Sequence, residues 1–357
     1  MTAAVTDGAR RLILAPLGFG KTHALLKIRA ALEEKGAAVV FIDLFTAAST
    51  PERLIVALAD SVRPVMKADA AEVNRLVDLG VRDRHAAPAA LLKLMETIAR
   101  EASSRPIVWL IDEVTEIRSL AYFPELGSIE KPFAAMLRAG RAAILTSSYM
   151  GLGADLFADF EPVALPGLGL EDLGNRARPA NVTRDLASAL TLTGGAASTL
   201  LPLLSDLETT GDAALSLARL LEAGAALELV CRRHYDILLM RSRGYAVSKR
   251  AAEVVALSRG LRLTDLVPMI GRTPGASRQY LRWLVEVGLL TQTKKRYDFA
   301  DPVLGLWASV YLGRPDSPSS EQIEGAVRGR LEGVRPFELP DATPQTTRRP
   351  DRFEEID

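Results

Sequence analysis

The residues of this chain best suited to chemistry on an anion stand in one run: Ala15, Pro16, Leu17, Gly18, Phe19, Gly20, Lys21, Thr22 and His23. An apolar stretch, Arg11–Leu14, leads into them and a helical pattern leads out. The spacing is that of GxxxxGK[ST], with alanine in place of the first glycine. In such a loop successive backbone N–H groups converge on a phosphate at a helix N-terminus. Gly18 and Gly20 supply the positive-φ or closely approached positions. Lys21 reaches the β- and γ-phosphates, and the Thr22 hydroxyl binds Mg²⁺. Ala15 marks the exit from the strand rather than the phosphate wrap, and it is tolerated there if φ stays negative.

Carboxylates follow at a suitable distance. Pro106–Val114, PIVWLIDEV, describes a buried parallel strand that delivers Asp112 and Glu113 to the carboxyl edge of a sheet, where ligands bind in open α/β sheets. Asp112 is expected to hold Mg²⁺ through water. Glu113 is expected to orient and polarise an attacking water, because phosphoryl transfer needs mainly positioning and charge neutralisation. A third strand, AAILTSS, ends in Thr146-Ser147-Ser148. Ser147 there is a candidate contact to the γ-phosphate or the water, although hydroxyl side chains at strand ends also form ordinary turns. A nucleotide with Mg²⁺ is the ligand these motifs call for.

The elements that must position these groups alternate. Candidate strands are Arg11–Leu14, Ala38–Asp43, Ile107–Asp112, Arg141–Thr146 and Pro162–Leu165. Helical patterns lie at His23–Glu34, Pro51–Arg63, Asp69–Arg84, Ala87–Ala102 and Pro132–Ala139. Such alternation predicts a parallel α/β sheet. From about Val182 to Met240 the Ala- and Leu-rich periodicity, broken at Gly194-Gly195 and Gly211-Asp212, predicts a small helical bundle. Helices at Lys249–Ser258, Leu263–Gly271 and Ala276–Glu286, then a hairpin over Gly288–Phe299, suggest a winged helix-turn-helix. The expected units are a nucleotide-binding core over 1–167, a helical lid over 168–240, a winged helix over 241–312 and a C-terminal extension over 313–357. Disorder is expected at Pro336–Asp357.

Composition bounds the rest. The 357 residues are 48% hydrophobic and 25% charged, with no net charge, one cysteine and three histidines. Cys231 alone excludes an intramolecular disulfide framework, and the scattered histidines give no zinc-ligand spacing. No apolar run has the length of a membrane span, and Met1–Arg11 has no signal-peptide core, so a reduced, cytoplasmic protein is expected. The zero net charge hides an asymmetry: Cys231 to Tyr297 holds 14 Lys/Arg against 4 Asp/Glu. On the third helix of that region Ser277, Arg278, Gln279 and Arg282 could meet base edges and phosphates of double-stranded DNA, with Lys294, Lys295 and Arg296 of the hairpin on the backbone. A protein-contact or autoinhibitory role accounts for the same module equally, and basic helix faces are often merely solvated. Asp301-Pro302 reads as a capped, buried helix start.

The motifs APLGFGKT, WLIDEV, ILTSS, TGGAAS and YDFADPVLGLW together resemble the archaeal-type predicted ATPases of the STAND branch of the AAA+ superfamily. The resemblance spans roughly residues 8–312 and includes VVFIDLFTAASTPERLIVALAD. It implies an α/β P-loop NTPase sheet in 5-1-4-3-2 order, a helical lid, a winged helix, and a nucleotide-controlled switch that binds protein partners or self-associates in its ATP state. Three positions depart from the pattern. Ala15 replaces a glycine, Ser148 stands where many relatives carry arginine, and the lid glycines lack the usual following proline. SSYMGLGADLFADFEP, Ser147–Pro162, also contains no arginine. An arginine finger contributes about 10³–10⁵ in rate. Slow turnover is therefore expected unless Arg138, Arg141, Arg176, Arg178 or a partner substitutes. A kinase acting on a separate acceptor is not favoured, because no acceptor module is apparent.

Overall fold

The computed structural model describes residues 8–66, 70–104, 106–151, 156–173, 180–312 and 316–333. Strand β1 (Arg10–Leu14) runs into the glycine-bearing loop and helix α1 (Lys21–Glu33). There follow β2 (Ala38–Asp43), the single turn α2 (Leu44–Ala47), α3 (Pro51–Val62), α4 (Ala70–Arg82), α5 (Ala87–Ala102) and β3 (Ile107–Asp112). A 3₁₀ stretch over Val114–Tyr122 leads by way of α6 (Glu130–Ala139) to β4 (Ala142–Ser147) and β5 (Glu161–Ala164). Local chemistry sets the boundaries. The α3 helix starts where the Thr50 hydroxyl accepts from Arg53 N–H and Pro51 presets the first helical φ.

The five strands form one parallel sheet in the order β2-β3-β4-β1-β5, which is the expected 5-1-4-3-2 read from the other edge. Every residue of β3 and β4 is buried, as central parallel strands require, whereas β5 lies open at an edge. Register aligns the chemistry. Asp43 pairs with Asp112, and Leu14 pairs with Ser147, so these carboxyl ends lie along one rim. Gly140 lets Trp109 fill the core beneath, since a Cβ there would stand 2.3 Å from the indole nitrogen.

Beyond the sheet come α7 (Leu170–Leu173), α8 (Ala180–Thr193), α9 (Ala197–Thr210), α10 (Ala213–Leu220) and α11 (Ala226–Arg241). Then follow α12 (Tyr245–Leu257), β6 (Leu261–Arg262), α13 (Leu263–Ile270), α14 (Pro274–Glu286), β7 (Leu290–Thr293), β8 (Arg296–Phe299), α15 (Pro302–Tyr311) and α16 (Ser320–Gly333). The expected three helices and hairpin are present. The two-residue β6 adds a third antiparallel strand that was too short to give a periodic signal. One apolar core runs unbroken from Leu173 to Val327, so the helical segment, the hairpin region and α16 share an interior. Within the C-terminal extension, the α16 helix, where no element is expected from sequence, buries Ile323 and Val327 against that core. Pro336–Asp357 lies outside the described residues. No helix among the described residues is long and apolar enough to cross a membrane.

Asp301 caps α15 as expected, its carboxylate accepting from Val303 and Leu304 N–H. Burial raises its pKa to about 6, against the two amide donors that favour the charge. A carboxyl raised in the fold stabilises below its unfolded pKa and loses that contribution as pH rises through the folded value. Stability from Asp301 should therefore decline between roughly pH 4 and 6. Asp301→Asn keeps the capping acceptor without a buried charge. Thermal melts should show the variant gaining on the wild type as pH is raised from 4.5 to 7.5, and a gain independent of pH would refute the assignment.

Candidate active site

The loop Ala15–Gly20 rises from β1 at the sheet's carboxyl rim. Gly18 and Gly20 adopt φ of 85° and 88°, a region that side chains disfavour, and Gly20 is the N-terminal boundary of α1. No side chain caps that helix, so its first-turn N–H groups face the loop's interior. Ala15 is buried, lacks a positive φ, and donates its N–H to Ser147 O at 3.4 Å. Alanine fits there because the position belongs to the strand exit. Leu17 turns the other way and packs on the core beyond the sheet.

Lys21 is the central group, with only 5% of its surface exposed. Its Nζ donates to Ala15 O at 3.0 Å and Pro16 O at 3.2 Å, and lies 3.2 Å from Glu113 Oε1. Thr22 Oγ1 donates to Asp112 Oδ2 at 2.5 Å, while Thr146 Oγ1 bonds the other Asp112 oxygen. Thr146 Oγ1 also accepts from Glu113 N–H at 3.0 Å. Glu113 sits at φ 49°, a strained position for a non-glycine residue, and this orients its side chain at the rim. Its Oε2 accepts from Ser148 N–H at 2.9 Å and from Ser148 Oγ at 2.7 Å.

Electrostatics separate the adjacent carboxylates. Burial raises the pKa of Asp112 against the two threonine hydroxyls, with Glu113 and Asp43 adding repulsion. Burial opposes the Glu113 charge too, but Lys21, the Ser148 donors and Arg241 prevail and hold its pKa below the ordinary range. His234 of α11 approaches the loop from the far side. Burial first, then the Arg233 and Lys21 charges, lower its pKa below the usual range. The α9 N-terminus leans on the loop as well. Ser198 N–H donates to Gly18 O at 3.0 Å, and a Cβ on Gly18 would strike Ser198 Oγ at 2.1 Å.

Comparison with solved structures bears on this geometry. A Walker-type ATPase of Pyrococcus abyssi matches with a TM-score of 0.58 at 18% identity, over 84% of this chain and 90% of that one. The fold is that of a P-loop ATPase. Cdc6p from Pyrobaculum aerophilum (TM-score 0.36, 11% identity, 92% of this chain and 90% of that one) is similar only loosely. So is AMPPCP-bound DnaA from Aquifex aeolicus (0.35, 12%, 80% and 85%), and neither adds to the argument. No family model and no curated protein matches the chain.

Within the P-loop fold, the expected residues Ala15–His23, Asp112, Glu113 and Ser147 meet at one rim, although His23 points outward and is exposed. Ser147 is fully buried, and its hydroxyl is shared with Thr115 Oγ1 at 3.1 Å and the Tyr149 backbone, so it is already committed. Two of the proposed arginine substitutes lie away from this chain's own loop. Arg138 and Arg141 precede β4, at the opposite rim, and Arg138 is bound to Asp159 at 2.7 Å. Arg176 and Arg178 lie outside the described residues.

The hairpin region needs a correction too. Ser277 is wholly buried and its Oγ bonds Arg272 O, so it cannot reach a duplex. Arg282 pairs with Glu286, and Arg296 donates to Gly260 O at 2.6 Å. Arg232, Arg250 and Arg259 pair with Glu228, Glu253 and Asp298. Of the acidic partners among the described residues, only Glu228, Glu116 and Asp298 come from outside the Cys231–Tyr297 stretch, so most of the local charge excess remains. Arg278, Gln279, Lys294 and Lys295 stay exposed, the last two at φ 50° and 66° in a two-residue turn. The residue missed from sequence is Arg241, which ends α11 and reaches Ser148 Oγ at 3.0 Å. Its helix carries no phosphate motif, and only the missing arginine at Ser148 hinted that another must come.

These placements predict opposite outcomes for two small changes in the loop. Ala15→Gly should leave nucleotide affinity intact and cost only about 0.4–1 kcal/mol of stability through the unfolded chain. Gly18→Ala should weaken binding strongly, because its Cβ meets Ser198 at positive φ. Calorimetric titration of both variants with ATP, beside melting curves, checks the contrast.

Proposed function

We propose that the chain binds ATP with Mg²⁺ and hydrolyses it slowly, as a nucleotide-controlled switch of the STAND type within the AAA+ ATPases. The observation that carries this reading is Lys21, a buried cation held by two loop carbonyls and Glu113 in a cradle with two positive-φ glycines. Phosphate oxygens are better partners for that ammonium than backbone carbonyls. The donor set suits a hard divalent ion: Thr22 and Asp112 offer only oxygens, and among the described residues no His/Cys/Asp/Glu cluster competes for it. Thr22 and Asp112 would hold Mg²⁺, which when bound neutralises phosphate charge.

Hydrolysis then falls to this chain's own groups. Glu113 accepts a proton from water as the water oxygen attacks the γ-phosphorus, and the bond to the β-phosphate oxygen breaks with its electron pair leaving on ADP. The proton passes on to solvent. Gly194-Gly195, pressed on Gly167-Leu168, ties the lid to the exit from the sheet. The units 1–167, 168–240, 241–312 and 313–357 serve this scheme as core, lid, winged helix and extension. With the β4 position occupied by Ser148, turnover is slow. Lys21→Ala should abolish ATP binding. Glu113→Gln should keep binding and lower kcat by about 10²–10⁴-fold. Unchanged affinity in Lys21→Ala would overturn the site.

For the winged helix, the burial of Ser277 within the shared core supports protein contacts, with self-association in the ATP state as one form of them. Exposed Arg278, Lys294 and Lys295 keep a DNA reading alive, and salt-dependent duplex binding with and without ATP decides it. If DNA is bound, Arg278→Ala or Lys295→Ala should each flatten the salt slope by about 0.9. No duplex binding at low salt leaves the protein-contact reading alone.

A further inference from the structure

Ser148, the residue after β4, is gripped from three sides. Its N–H and hydroxyl both donate to Glu113 Oε2, at 2.9 and 2.7 Å. Its Oγ accepts from Arg241 Nη1 at 3.0 Å. Gly288, between α14 and β7, lies so close that a Cβ would stand 2.8 Å from the Ser148 carbonyl oxygen. The other arm of Arg241 bonds Glu116, and its guanidinium lies over the rings of Tyr149 at 4.9 Å and Phe45 at 5.7 Å. The Arg241 side chain is only 10% exposed, so water screens these contacts little.

Arg241 is also the last residue of α11. After it the chain turns through Ser242-Arg243-Gly244 into α12, and Gly244 at φ 66° is pressed on Tyr280 of α14. The C-terminal helices and hairpin share the core of the helical segment and follow directly on the residue that holds Ser148. A cleft of about 420 Å³ separates them from the core at this joint, lined by Glu116, Tyr149, Arg241, Arg243, Trp283 and Glu286 among others. Arg241 and Gly288 are where the C-terminal half touches the catalytic carboxylate's own partner.

We propose that Arg241 is a positioning residue for Glu113, acting through the Ser148 hydroxyl, and that it makes hydrolysis depend on how the C-terminal modules are seated. This rests on the ATPase reading above. When phosphates draw Lys21 away, Glu113 Oε1 becomes free to take the proton from water, while Oε2 stays pinned by Ser148. Without Arg241 the hydroxyl can rotate and the carboxylate loses its fixed angle. A group held off by this much no longer has a productive geometry.

The test compares Arg241→Gln, Ser148→Ala, their double variant and Arg241→Lys in the full chain, by ATP titration calorimetry and steady-state hydrolysis. Each single variant should keep the ATP dissociation constant within about twofold while kcat falls about tenfold or more. The double variant should fall no further than Ser148→Ala alone, because the two groups act in series. Arg241→Lys supplies one donor instead of a fork and should recover part of the rate. Multiplicative losses in the double variant, or an unchanged kcat in Arg241→Gln, would overturn the proposal. So would parallel loss of affinity and rate, which marks a structural strut. A wild-type chain that binds no ATP overturns the parent reading and this inference together, and is recognised before any variant is compared.

Discussion

Burial of the Lys21 ammonium is the constraint around which the site is built. A cation that is 5% exposed has surrendered its water, and the chain returns it two carbonyls and one carboxylate. Removing one partner of such a buried pair costs about 3–5 kcal/mol, because the other charge is left uncompensated. That requirement dictates the neighbours. The loop must curl so that Ala15 and Pro16 point their oxygens inward, which the positive φ of Gly18 and Gly20 permits. Glu113 must leave β3 at φ 49°, and Thr146 secures its N–H in that pose. The sheet order supplies the rest, since β4 lies between β3 and β1 and so joins Asp112 to the loop.

A buried charge at the rim also explains why the far modules close over it. Leu17 is packed into the core that runs from Leu173 to Val327, and Ser198 sits against Gly18. Both contacts exclude water from the loop's outer side. His234 completes the wall, its ring standing against Gly18. The helical segment is thus anchored on the loop itself, and α11 carries both His234, against the loop in mid-helix, and Arg241 at its C-terminus.

Much of the sheet was legible because its signals are local. Ile107–Asp112 is a continuous apolar run ending in acids, and Pro51 after Thr50 is a helix start written in two residues. The loop was legible because GKT after a strand has few other uses. What escaped was non-local or too short for periodicity: the two residues of β6, the 3₁₀ stretch over Val114–Tyr122, and α16, whose burial depends on partners more than a hundred residues away. Ser277 misled because its place on an amphipathic helix admits either face, and packing put it inside. The charge excess after Cys231 was only partly answered from outside that stretch, by Glu228 and Glu116, and the Glu116 partner of Arg241 lies too far along the chain to be read from sequence. Arg241 was invisible because its partner Ser148 lies 93 residues away.

The central claim is that phosphates replace the carbonyls and carboxylate now holding Lys21. Amide hydrogen exchange across Ala15–His23, followed with and without MgATP, tests it most directly. The account predicts slowed exchange at Gly18, Gly20, Lys21 and Thr22, whose N–H groups face the ligand, with protection extending to Ser198 on the lid. Unchanged exchange in the loop at saturating MgATP would contradict it.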